Sequence, residues 1–116
     1  MAIIKADDSS EAGNPPSEEQ ITVMSKYNEE SAASGVLLAA EGLYPSTTGA
    51  RVHFKDHKST VTDGPFTETK ELIAGYWLLD VKSLDEALAW VRNMPTFDGH
   101  EAVVEVRRVF DAADFE

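Results

Sequence analysis

Apolar and polar positions along the chain alternate between two periods. A short apolar run, Ala2-Ile3-Ile4-Lys5-Ala6, predicts an opening strand, and residues 7 to 16, with acids, Gly13, Asn14 and two prolines, predict a loop. Ser17-Glu18-Glu19-Gln20 is a helix start: the Ser17 hydroxyl can accept from the Gln20 amide while the Gln20 side chain reaches back. Ile21, Met24, Tyr27, Asn28, Ser31 and Ala32 then step by three and four, predicting an amphipathic helix that ends near Ser34, with Gly35 free to take a left-handed cap. The small-apolar run Val36 to Ala40 predicts a second strand, and Glu41 to Gly49 a loop.

Beyond Gly49 the period falls to two. Arg51 to Lys55 and Ser59 to Thr62, joined by Asp56-His57-Lys58, predict a hairpin with Val52 and Phe54 on one face and Arg51, His53 and Lys55 on the other. Ile73 to Val81 predicts a strong strand in which Tyr76 and Trp77 face opposite ways, one toward the core. Ser83-Leu84-Asp85-Glu86 predicts a second capping box, and Leu84, Ala87, Leu88, Val91 and Met94 mark a buried helical stripe that Pro95 halts. Trp90 reads as helix packing. Thr96 to Glu101 reads as a loop, Ala102 to Phe110 as a last strand, and the acidic tail from Asp111 has Phe115 as its anchor.

Strand, helix, strand, hairpin, strand, helix, strand is the order of an α+β domain. Two βαβ-like halves around one sheet give a ferredoxin-like βαββαβ protomer with an inserted β-hairpin. A length of 116 residues fits one domain, spanning residues 1–116. A four-stranded sheet with helices on one face leaves the other to cover, so a homodimer is expected.

Charge narrows the partners. Twenty-one acids against ten bases give a net charge of −11, which repels phosphate backbones and anionic bilayers, so neither nucleic acid nor membrane is expected as a partner. No apolar run approaches the ~20 residues of a membrane helix, and no secretory leader is visible. A cytoplasmic protein is the expectation. The absence of cysteine excludes disulfides, thiolate catalysis and cysteine zinc sites.

One stretch is specific. Val61-Thr62-Asp63-Gly64-Pro65-Phe66-Thr67-Glu68-Thr69-Lys70-Glu71, followed by Ile73-Ala74-Gly75-Tyr76-Trp77, closely resembles the signature of the YCII-related family, in the subgroup named for its Asp-Gly-Pro-Phe tetrapeptide. Gly35-Val36-Leu37, Glu41 to Ser46 and Ser83 to Trp90 extend the resemblance over roughly residues 20 to 110. It implies a protomer that pairs through its sheet into a dimeric α+β barrel, with a cleft against the sheet. It also implies a site built around a histidine and an aspartate. Asp63 matches the aspartate, whereas His53, His57 and His100 all lie outside the first helix. The subgroup's genes often accompany those of alternative sigma factors, which makes a regulatory protein-interaction module one reading.

The residues themselves leave Asp63 two roles. Asp-Gly-Pro is ordinary turn chemistry; alternatively the turn holds Asp63 at a cleft mouth as a catalytic proton-transfer base acting on a small carbonyl metabolite. Phe66 would wall that cleft, Glu68 and Lys70 would orient a polar ligand, and Tyr44 and Tyr76 would line it. Glu41 could lie across the sheet from Asp63, two carboxylates in one pocket. His53 and His57, four apart on a hairpin, do not converge as metal ligands. The expected protein is a homodimer binding a small molecule near the Asp-Gly-Pro-Phe segment, with no cofactor and no metal.

Overall fold

The computed structural model describes residues 1–96 and 101–116. Strand β1 (Ala2–Lys5) is followed by a single helical turn, α1 (Asp8–Glu11), and a long helix, α2 (Glu18–Ala33). Then come β2 (Leu37–Gly42), the pair β3 (Ala50–Lys55) and β4 (Lys58–Asp63), β5 (Ile73–Leu79), α3 (Leu84–Arg92) and β6 (Val104–Val106). Four strands form one antiparallel sheet in the order β2-β5-β1-β6, while β3 and β4 make a separate two-stranded ribbon. The fold is α+β. Among the described residues no helix is long and apolar enough to cross a membrane.

Local chemistry explains most boundaries. Ser17 Oγ accepts from the Gln20 amide at 3.1 Å and Gln20 Oε1 accepts from the Ser17 amide at 2.9 Å, so the first box is complete. Gly35 takes φ +84°, the left-handed cap expected of it. The ribbon turns on Asp56 and His57, both at positive φ, the geometry a two-residue hairpin loop demands.

Several expectations shift. Asp7 Oδ1 accepts from the Ser10 amide and Ser10 Oγ answers the Asp7 amide, so a capped helical turn stands where composition predicted only loop. At α3 the box is split: Ser83 Oγ accepts from the Glu86 amide, but Glu86 turns to the Lys82 amide. Strand β2 runs on through Gly42, placing Glu41 inside the sheet, and residues 46–48 form a 3₁₀ turn. The last strand is three residues long, although the bonds Lys5 N–H to Val103 O and Arg107 N–H to Met1 O extend its pairing. The tail folds back: Asp111 caps the 3₁₀ turn Ala112–Phe115, Phe115 lies 5.1 Å from Phe110 and Asp114 pairs with Arg108.

The core sits between the sheet and the helices. Ala2, Trp77 and Ala87 are buried, and the register puts Ala2, Ala40, Trp77 and Val106 on the helical face. Trp77 meets Trp90 edge-on at 5.2 Å, and Trp90 meets Tyr27 at 5.0 Å. Trp90 Nε1 donates to the buried Ser31 Oγ at 3.0 Å, and the Tyr27 hydroxyl donates to the Trp90 carbonyl at 2.6 Å. The predicted stripes are only partly covered: Ile21, Leu84 and Leu88 remain exposed.

Burial pushes the Tyr27 phenol above its ordinary value of 10.0. The folded state therefore favours the neutral phenol, a contribution complete below pH 10 and lost as pH rises through the folded value. Tyr27→Phe should cost about 1 kcal/mol near neutrality through the lost hydrogen bond. Urea titrations of both proteins should show that gap narrowing above pH 10; a gap constant with pH would count against a buried phenol.

Candidate functional site

Among the described residues no helix lies over the opposite sheet face. Register and alternation bring Ile3, Tyr76 and Glu105 into one row there, with Glu41 directly across from Tyr76 and Ala39 across from Leu78. Ile3, Ala39, Tyr76 and Leu78 are half-buried and Glu41 is exposed. Glycine at position 75 lets β2 come close, since a Cβ there would stand 2.6 Å from the Glu41 carbonyl oxygen.

Beside this face a corner is tied together by Ser46. Its amide and its hydroxyl both donate to the Glu11 carboxylate, at 3.0 and 2.5 Å, and Ser46 Oγ accepts from the Phe66 amide at 3.1 Å. The Gly64 amide donates to the Gly49 carbonyl at 2.9 Å, and a Cβ on Gly64 would fall 1.7 Å from the Ser46 carbonyl oxygen. The single turn α1 thus anchors the Asp63-to-Phe66 segment to the body of the protein. Over the Phe66 ring lies the Arg51 guanidinium, 3.8 Å from the centroid. No described carboxylate pairs with Arg51.

The seven candidate residues divide between these places. Glu41 and Tyr76 meet on the open sheet face. Phe66 is half-buried beneath Arg51, and Tyr44, one residue before the Pro45-Ser46 turn, is 87% exposed. Asp63 ends β4 opposite Ala50, exposed and in the ribbon, so it and Glu41 belong to different sheets. Glu68 and Lys70, at the 3₁₀ turn Thr69–Glu71, are exposed. His53 and His57 are exposed on the ribbon, and His100 lies outside the described residues.

Sequence patterning missed three participants. Arg51 read only as one polar residue of a hairpin face, and Glu11 and Ser46 as loop. The Asp7-to-Ser10 spacing was the available signal for the turn that carries Glu11. Patterning also missed a cavity of about 1010 Å³ on the helical side, walled by Ile21, Met24, Val91, Met94 and Val104. Asn28 lines it with a buried Oδ1 that has no hydrogen-bond partner among the described residues. None of the seven candidates lines this cavity.

Comparison with known proteins matches the YCII-related domain to residues 1–113, nearly the whole chain. The chain belongs to the YCII-related family. A curated relative from Rhizobium meliloti (strain 1021), named "Uncharacterized protein R00369", is 38% identical over 85 residues. Those residues are 73% of this chain and 65% of the relative, so this YCII-related chain spans a little under two thirds of that protein's length.

Proposed function

We propose that this YCII-related protein is a homodimer that binds a small molecule at the corner built around Asp63 to Phe66, and that it belongs to the Asp-Gly-Pro-Phe subgroup. The strand order β2-β5-β1-β6, all antiparallel, supports a ferredoxin-like protomer whose open face pairs with a second copy in a dimeric α+β barrel. Arg51 carries the binding reading. A guanidinium laid on an aromatic ring keeps its edge N–H groups free, and in a chain of net charge −11 this one has no described carboxylate partner. It suits a ligand carrying a carboxylate or similar oxyanion. The Glu11–Ser46–Phe66 bonds hold that pair in place before any ligand arrives. Proton transfer by Asp63 asks for a sheltered carboxylate, and Asp63 is exposed.

The cavity beside Asn28 favours a second reading, a largely apolar ligand held between α2 and the end of α3. A thermal-shift screen of small carboxylic acids and neutral metabolites separates the two. A ligand at ~100 times its Kd adds about 2.7 kcal/mol to stability. A stabilising carboxylate whose effect disappears in Arg51→Ala and is kept or strengthened in Asp63→Asn, where a repelling charge is gone, is the expected result. A hit lost in Asn28→Leu and kept in Arg51→Ala moves the ligand to the cavity, and hits indifferent to all three variants overturn both placements.

A further inference from the structure

Every residue of β3 and β4 is exposed, including Val52 at 52%, Phe54 at 73% and Val61 at 63%. The register sets Val52 opposite Val61 and Phe54 opposite Ser59, so the three apolar side chains form one stripe on one face of the ribbon. An isolated two-stranded ribbon is marginal in water and needs a third strand or a packing surface. Among the described residues this one has no third strand, being a separate sheet from the main one, and its Val52, Phe54 and Val61 side chains stay exposed.

The missing cover is large. The accessible surface is 8989 Å², against about 6,200 Å² for a compact monomer of this mass. The radius of gyration is 16.4 Å, where a compact chain of this length has about 13 Å. The excess, roughly 2,800 Å², is as large as the share each protomer buries in the most extensive obligate dimers, about 2,500 Å² or more. The molecule is correspondingly spread, 45 × 45 × 19 Å in extent.

We propose that the β3–β4 ribbon is an exchanged arm, whose Val52–Phe54–Val61 stripe packs on a second copy of this chain along the rim of its open sheet face. The inference rests on the homodimer reading above and adds to it the element that clasps the partner. A two-fold axis makes the exchange reciprocal, each arm on the other body. Charge fits the same occupant. The segment from Ala50 to Asp63 has three basic residues, Arg51, Lys55 and Lys58, against two acids, Asp56 and Asp63, within a chain of net charge −11. An acidic second copy therefore attracts the arm where it repels the rest of the body. Arg51 and Asp63, at the root of the arm, place the proposed ligand corner beside the interface.

Sedimentation equilibrium over a dilution series tests this with three proteins: the native chain, Phe54→Ser combined with Val61→Thr, and a chain in which residues 51–62 are replaced by Asn-Gly. Ala50 and Asp63 stand opposite each other, so the short turn closes the ribbon's base without touching the main sheet. The expected result is a native dimer whose dissociation constant rises at least 30-fold in both variants, with unchanged helical circular dichroism. A native dimer that both variants match in affinity overturns the arm and leaves the homodimer standing. A native monomer overturns both. As a second readout, Ser59→Cys, unique in a cysteine-free chain, carries an environment-sensitive dye on the stripe. Emission that shifts red as the dimer is diluted supports the arm; emission indifferent to dilution of a demonstrated dimer overturns it.

Discussion

Trp77→Ala is expected to cost about 3–5 kcal/mol and to lower the melting temperature by roughly 15 °C or more. Trp77 is 3% exposed and meets Trp90 edge-on, and Trp90 in turn is bonded to Ser31 and Tyr27 of α2. Removing the indole therefore opens the seam where β5, α2 and α3 come together. Few side chains share that load, since the only other buried apolar side chains among the described residues are those of Ala2 and Ala87. Against the 5–15 kcal/mol of total stability usual for a domain, such a loss approaches unfolding. Chemical denaturation followed by circular dichroism gives the number. A loss below about 1 kcal/mol would mean that the helical layer does not rest on this cluster.

Gly64→Ala should be the most damaging single methyl group that can be added to the loops. The new Cβ would lie 1.7 Å from the Ser46 carbonyl oxygen, a backbone atom that can move only by breaking the Ser46 contacts with Glu11 and Phe66. A cost of about 3 kcal/mol is expected, at the upper end for overpacking. Limited proteolysis should cut faster between β2 and β5 as the corner detaches. Gly49→Ala is the matched control: its Cβ would meet the same oxygen at 3.5 Å, an ordinary contact, at an extended φ of −102°. Equal losses in the two variants would show that steric closure at Gly64 is not what holds the corner.

Features fixed by local chemistry were readable from the residues alone. Ser17 and Gln20 are three apart and bond as that spacing requires; Gly35 caps α2; the alternation from Arg51 to Thr62 makes a ribbon. The division of Tyr76 and Trp77 between two faces follows from the pleat, and Trp90 packs as a helix residue. Periodicity reveals which residues share a face, but not what covers that face. Leu84 and Leu88 sit on the apolar stripe of α3 and remain exposed, because a nine-residue helix over a three-residue strand has little surface beneath it. The α3 box divided because the Lys82 amide, one residue earlier, competes for Glu86. Arg51 gave no signal, since its partner Phe66 lies across a turn fifteen residues away. The same non-locality hid the link from Glu11 to Ser46, which spans thirty-five positions. Asp63 was identifiable as part of a distinctive segment, while its separation from Glu41 depended on which strands pair.

Both tryptophans of the chain lie in one cluster, edge to face, with Tyr27 beside them. Intrinsic fluorescence excited at the indole band is therefore a local reporter of the seam between helices and sheet. Coupled rings in a fixed, near-perpendicular pair also give a near-ultraviolet dichroic band that vanishes when the seam loosens. Tyr44 and Tyr76 stand outside the cluster, near the corner and on the open face. Light absorbed by them and passed to the indoles measures a distance across the molecule, so emission excited through tyrosine can register the corner shifting while the seam stays closed.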